Sequence, residues 1–228
     1  MNRNFSALTA MLIVMALVAT IFGCILREPV HSFAQTGPEN VIYLTFDDGP
    51  SDRVTPKILD VLKAEKVPAT FFIVGKNAEL RREILKRAHN EGHTLAVHSY
   101  SHEYSKIYSS KETLLADIEK CNEIISSITG EFTSVYRFPG GSFTVAPELI
   151  QAVSSAGYRY VDWNASFRDS ELRAATAEDL FNAAVSTVAH PQSVIMLAHD
   201  TTEKSTTVEA LKSVISHFKS KGYTFKAF

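Results

Sequence analysis

Two periods of hydrophobic patterning take turns along this chain. Short β-prone apolar runs occupy residues 41–46, 69–74, 94–97, 134–138, 158–162, 194–198 and 223–228. Between them, apolar positions recur at helical spacing over residues 54–65, 77–91, 110–128, 145–156, 176–189 and 207–221. Residues 81–87 set charges on one face against Ile84, Leu85 and Ala88 on the other, the pattern of a surface helix. Thr55-Pro56 reads as a helix start, a capping hydroxyl followed by a first-turn proline. Gly92 and Gly130 follow two of the helices as C-terminal caps.

Seven strands alternating with six helices predict an α/β chain with a parallel sheet and right-handed crossovers. An open doubly wound sheet and a closed barrel both fit that alternation. The polar residues help to choose. Asp47 and Asp48, His98, Arg137, Asp162 and His199 each fall at or just past the C-terminal end of a different predicted strand. Parallel strands place those ends on one face, and such convergence favours a distorted (β/α) barrel of about seven strands.

Composition narrows the class. With 228 residues, 45% hydrophobic and 21% charged, the chain can bury one good core, and residues 41–228 are expected to form one catalytic domain. The formal charge of −2 supplies no basic footprint for nucleic acid, so none is expected as a partner. Arg3 precedes an apolar run over residues 7–26, followed by Ser32-Phe33-Ala34, a small-x-small cleavage pattern. Residues 1–34 therefore read as a signal peptide, or as an uncleaved membrane anchor of about twenty residues, with a short polar linker at 35–40. Either reading places the domain outside the cytoplasmic membrane, secreted or anchored to its outer face. Cys121 would be the only cysteine after residue 34, so no internal disulfide is available, and its place in a helical pattern predicts buried packing. A monomer is expected.

Four motifs carry chemistry. Thr45-Phe46-Asp47-Asp48-Gly49-Pro50 ends a strand in two carboxylates whose side chains leave in different directions. One can bind a metal while the other faces a water beside it. His98 and His102 are four apart; if the chain turns helical there, both share one face and can ligate one ion. Two imidazoles and a carboxylate leave positions open for water and a substrate oxygen. In Arg137-Phe138-Pro139-Gly140-Gly141-Ser142, the guanidinium can keep a neighbouring carboxylate ionised, and a backbone N–H near the glycines can donate to an oxyanion. Leu197-Ala198-His199-Asp200 ends an apolar strand in a histidine, a third ligand or, preferably, a general acid. His89, His93, His190 and His217 read as surface residues without partners.

In order and spacing these motifs resemble those of the polysaccharide deacetylases, the NodB-homology family and fourth carbohydrate esterase family, from about residue 41 to the C-terminus. The resemblance implies a distorted barrel and a zinc-type ion, with cobalt or nickel as alternatives, held by Asp48, His98 and His102. It makes Asp47 the general base, Arg137 its orienting partner and His199 the acid that protonates the leaving amine. Gly140, Trp163 and Leu197 would line the oxyanion and substrate pocket. The chain departs from the family twice. Gly140 stands where an aromatic residue often follows Arg-x-Pro, which puts substrate gripping in doubt. In the fourth motif, aligning Trp163 with the family's leading tryptophan makes Asp169 the carboxylate that tunes His199, followed by Ser170 in place of tryptophan; Asp162 is the alternative in another register.

The expected activity is removal of N-acetyl groups from an envelope polysaccharide, first of all peptidoglycan N-acetylglucosamine. The alternatives are an O-acetyl esterase on xylan or another acetylated glycan, and a glycan-binding protein without turnover.

Overall fold

The structure, a computed structural model, describes residues 40–228. The expected leader at 1–34 and all of the linker at 35–40 except Asn40 lie outside the described residues.

Strand β1 (Val41–Asp47) is the centre of the sheet. Its alternate residues divide between two environments: Ile42, Leu44 and Phe46 join a large core against the helices, while Thr45 and Asp47 point inward. β1 pairs in parallel with β2 (Thr70–Val74) over its upper half, with β8 (Thr224–Lys226) over its lower half, and with β7 (Ser193–His199) throughout. Outward from β2 follow β3 (Thr94–Ser99), β4 (Val135–Tyr136) and β5 (Arg159–Tyr160); outward from β7 lies β6 (Ala165–Ser166). The main path is thus β5-β4-β3-β2-β1-β7-β6, seven parallel strands with β8 beside β1. β5 and β6 are its two ends, so the barrel is curled rather than sealed. The curl is visible in Arg137, which follows β4 and reaches β1 across the interior. A small inner cluster of Phe72, Ala96, Val135 and Val161 fills the barrel below it, with Ile195 and Phe228 packed on its edge.

The helices are α1 (Thr55–Glu65), α2 (Gly75–Leu80), α3 (Arg82–Asn90), α4 (Tyr104–Ile107), α5 (Lys111–Thr129), α6 (Pro147–Ser155), α7 (Ala177–Ser186) and α8 (Ser205–Ser220). Among them, none is long and apolar enough to cross a membrane.

Several local expectations change. The helix expected over 77–91 breaks at Arg81 (φ −135°, ψ 39°), with no proline or glycine there. Two tertiary demands split it: Asn77 of α2 donates to the Asp48 carbonyl, while Leu85 and Ala88 of α3 enter the core. Thr55 is not a cap; its hydroxyl donates to Asp200, and the Ser51 hydroxyl accepts from Val54 and Thr55 N–H instead. His93 is buried, with Nδ1 accepting from Ala69 N–H, and His217 meets the rings of Phe181 and Phe218 edge-on. The fourth and fifth strands shrink to two residues each. β6 was not expected; two residues carry no readable period, and the Asn164 amide pins it to β7 through Ser193 and Ile195. Gly130 does cap α5, and Cys121 is buried, its thiol directed at the Ile73 carbonyl.

Candidate active site

The C-terminal ends of β1, β3, β4 and β7 bring the chemistry together. Register aligns Asp47 with His199 across β1 and β7. Asp47 is buried and Arg137 fully so, and Arg137 Nη1 lies 2.8 Å from Asp47 Oδ1. The same Nη1 donates to Thr45 Oγ1 at 2.8 Å, and Nε to the Val161 carbonyl at 2.9 Å. With its plane over the Phe72 ring as well, the guanidinium has no freedom to leave Asp47.

Asp48 follows with φ of +76°, a left-handed turn that sends its carboxylate away from Asp47 and toward two imidazoles. Its Oδ1 lies 3.3 Å from His98 Nε2 and 3.1 Å from His102 Nε2. Oδ1 is buried, yet neither contact has the geometry of a hydrogen bond. Burial works against its charge, but His102 and His98 hold the carboxyl well below the usual carboxylate range. One ligand atom from each of the three residues falls within 4.8 Å of the others. An orphaned carboxylate oxygen between two convergent ring nitrogens suits a divalent cation with open positions.

Each ligand is set by its surroundings. His98 sits where β3 gains a residue against β2, since Ile73 pairs with Val97 and Val74 with Ser99. Its Nδ1 bonds the Arg137 carbonyl at 2.8 Å, which leaves Nε2 for the ion. His102 is not on a helix, contrary to the spacing argument; it is a loop residue with φ of +57°. Asp117 of α5 builds that loop, accepting from Ser99 Oγ, Tyr100 N, and both N and Oγ of Ser101. Ser99 Oγ in turn receives His102 N–H at 2.8 Å. The histidines meet because the half-buried Asp117 carboxylate folds the turn between them.

His199 is paired with Asp169, at 2.7 Å between Nδ1 and Oδ1. Burial pushes the imidazole down, but the Asp169 bond and charge outweigh it and raise His199 to about 9. Asp162 lies elsewhere: it accepts from Ser142 N–H at 2.9 Å and from the Ser142 hydroxyl, fixing the Gly140-Gly141 turn. Of the two candidate carboxylates, Asp169 is therefore the one that meets His199.

Gly140 and Gly141 have φ of +78° and +82°. Gly141 N–H is used by the Phe138 carbonyl, whereas Gly140 N–H has no acceptor among the described residues. Trp163 is half-buried, edge-on to Phe143 and 5.8 Å from the Arg137 guanidinium. Leu197 is buried two residues before His199, on the same, inward side of β7. Sequence reasoning missed Asp117, Tyr104, Tyr108, Phe143 and Thr207. None belongs to a motif, and only the fold brings them to the site. Phe143 and Tyr104 are exposed aromatic rings, the feature that Gly140 lacks.

A model of the polysaccharide deacetylase family matches residues 34–161. The chain belongs to this family. Among relatives of this polysaccharide deacetylase, the peptidoglycan-N-acetylmuramic acid deacetylase PdaA of Bacillus subtilis is 32% identical over 190 residues, covering 83% of this chain and 70% of that one. The chain spans about two thirds of the length of the curated relatives it matches. Of solved structures, a Streptococcus mutans CE4 esterase superposes with a TM-score of 0.78 at 33% identity, over 83% of this chain and 86% of that one. The catalytic domain of a peptidoglycan N-acetylglucosamine deacetylase from Eubacterium rectale gives 0.76 at 35% identity, over 83% and 88%.

Proposed function

We propose that this polysaccharide deacetylase removes N-acetyl groups from peptidoglycan, first of all from N-acetylglucosamine units, on the outer side of the cytoplasmic membrane. The observation that carries the reading is the division of labour between adjacent carboxylates: Asp47 locked to Arg137, Asp48 turned toward His98 and His102. The apolar run at 7–26 supports export, and the peptidoglycan deacetylases among the relatives support the polymer.

Asp48, His98 and His102 would hold a divalent ion, zinc expected, with cobalt or nickel as alternatives. When bound, that ion supplies Lewis acidity at the acetyl carbonyl and acidity to a neighbouring water. Asp47 takes the proton of the attacking water, its carboxylate aimed by Arg137. Gly140 N–H donates to the oxyanion as the carbonyl becomes tetrahedral. His199 donates Nδ1–H to Asp169, which favours the charged ring, and gives the second proton, at Nε2, to the departing amine as the C–N bond breaks. The products are acetate and a free amine on the glycan.

Acetate release from N-acetylglucosamine oligomers and whole peptidoglycan tests the proposal, with added zinc, with a chelator, and with Asp47→Asn. Release that the chelator stops and Asp47→Asn nearly abolishes, while that variant keeps its metal, is the expected result. Release from acetyl esters alone would transfer the assignment to O-acetyl esterase, the second reading that likeness to the Streptococcus mutans esterase favours.

A further inference from the structure

Resting on the proposed function, we infer that Tyr104 is a substrate-contacting residue, its ring and hydroxyl forming one wall of the cleft that receives the acetylated sugar. Four observations converge on this residue, which no motif includes.

The first is position. The Tyr104 ring stands edge-on to His102, centroids 5.3 Å apart at 90°, so it borders the cation site directly. The second is its relation to Gly140. A Cβ built on Gly140 would lie 3.1 Å from the Tyr104 ring and 3.3 Å from its hydroxyl oxygen. The phenol therefore sits over the residue whose N–H is unused. Gly140 has no side chain to offer, and Tyr104, from another element, occupies the space one would need.

The third is contrast with its neighbour. Tyr108, four residues on, is half-buried, and its hydroxyl donates to the Pro139 carbonyl at 2.8 Å, an ordinary structural tyrosine. Tyr104 rests edge-on against that ring, yet is 47% exposed and its hydroxyl makes no hydrogen bond among the described residues. Packing alone does not require a hydroxyl left free beside a reaction centre. The fourth is the complementary wall. A Cβ on the next residue, Gly141, would meet Phe143 and Trp163 at 2.9 Å, and Phe143 is 70% exposed. Successive glycines thus run bare between Tyr104 and the Phe143–Trp163 pair, a floor with aromatic flanks.

A pyranose carrying an acetamide suits that cleft. Its C–H faces lie against rings, and its hydroxyls pair with a phenol that can both donate and accept. Losing both contacts should weaken sugar binding by about tenfold, equivalent to about 1.4 kcal/mol.

The test compares wild type, Tyr104→Phe and Tyr104→Ala on an N-acetylglucosamine tetramer and on 4-nitrophenyl acetate, with bound zinc measured for each. The expected result is a KM for the tetramer raised about tenfold in Tyr104→Ala, with kcat falling less, and an intermediate KM in Tyr104→Phe. The ratio of kcat/KM for tetramer over small ester should fall in parallel, with zinc stoichiometry retained. An unchanged tetramer KM in Tyr104→Ala overturns the inference alone. So does an equal loss on both substrates together with lost zinc, since the ring would then act only by supporting His102. A wild type without acetate release from the tetramer sinks the underlying function, and the inference with it.

Discussion

Asp169 grips His199 twice. Oδ1 lies 2.7 Å from imidazole Nδ1, and Oδ2 accepts the His199 backbone N–H at 2.9 Å. Thr207 donates to the same Oδ2 at 2.8 Å, and Lys204 to the Asp169 carbonyl at 2.8 Å. Burial favours the neutral acid, but His199 outweighs it and lowers the Asp169 pKa. The carboxylate thus sets the ring's tautomer, orientation and charge together.

That grip makes the pH profile informative. His199 acts protonated, so activity should fall as pH rises through its pKa, raised to about 9 against burial by Asp169. A cation at Asp48 offsets the lesser contributions of Asp47 and Asp48 but leaves the Asp169 bond, so the alkaline limb falls at or below about 9. Asp169→Asn removes the largest opposition to burial, which moves the limb to lower pH. A pH–rate comparison of the two proteins checks this; a limb that does not move would free His199 of the role.

Arg137 should matter as much to folding as to turnover. It is fully buried, and Arg137→Ala would leave Asp47 as an uncompensated buried charge. Breaking such a pair costs about 3–5 kcal/mol. Urea unfolding of the metal-free protein should show a loss of that order. Arg137→Lys keeps a charge but cannot meet Thr45, Asp47 and the Val161 carbonyl together, so its stability should lie between the two.

Asp117 offers a test of the cation site that touches no ligand. Asp117→Ala removes the acceptor for four donors in the turn from Ser99 to Ser101, freeing His102. Outer-shell changes of this kind weaken metal binding about 10–100-fold. Competition with a zinc chelator should read that loss while circular dichroism keeps the wild-type fold. Wild-type affinity in the variant would show that His102 finds its place without the turn.

Asp200 predicts a stability effect of the opposite sign to a salt bridge. Burial lifts its carboxyl to about 7, with Asp48 and Asp47 adding to the rise and the Thr55 hydroxyl bond opposing it. Its Oδ1 is buried without a partner among the described residues. The folded state therefore binds this proton more tightly than the unfolded chain. Stability of the metal-free protein should fall as pH rises from about 4 to about 7, by at most about 1.4 kcal/mol per unit from this group. Asp200→Asn should flatten that slope in urea titrations across the range; an identical slope would assign it elsewhere.

Much of this protein was determined locally and is legible in its residues. Alternating periods specify a parallel α/β sheet covered by helices, and the polar residues at its strand ends favour a barrel over an open sheet. Asp47, Asp48, His98, Arg137 and His199 announce themselves because each ends an apolar strand, and parallel strands send those ends to one rim. Tertiary structure decided the rest. His102 reaches the site through a turn built by Asp117, at a distance along the chain no spacing rule covers. Asp169 rather than Asp162 holds His199, because Asp162 is consumed by Ser142 in fixing the glycine turn. Tyr104 and Phe143 flank that turn from elements whose local patterns say only helix and loop. Periodicity fixes which face a residue takes within its own element. Which residues of other elements meet it depends on how those elements pack, a property of the whole chain.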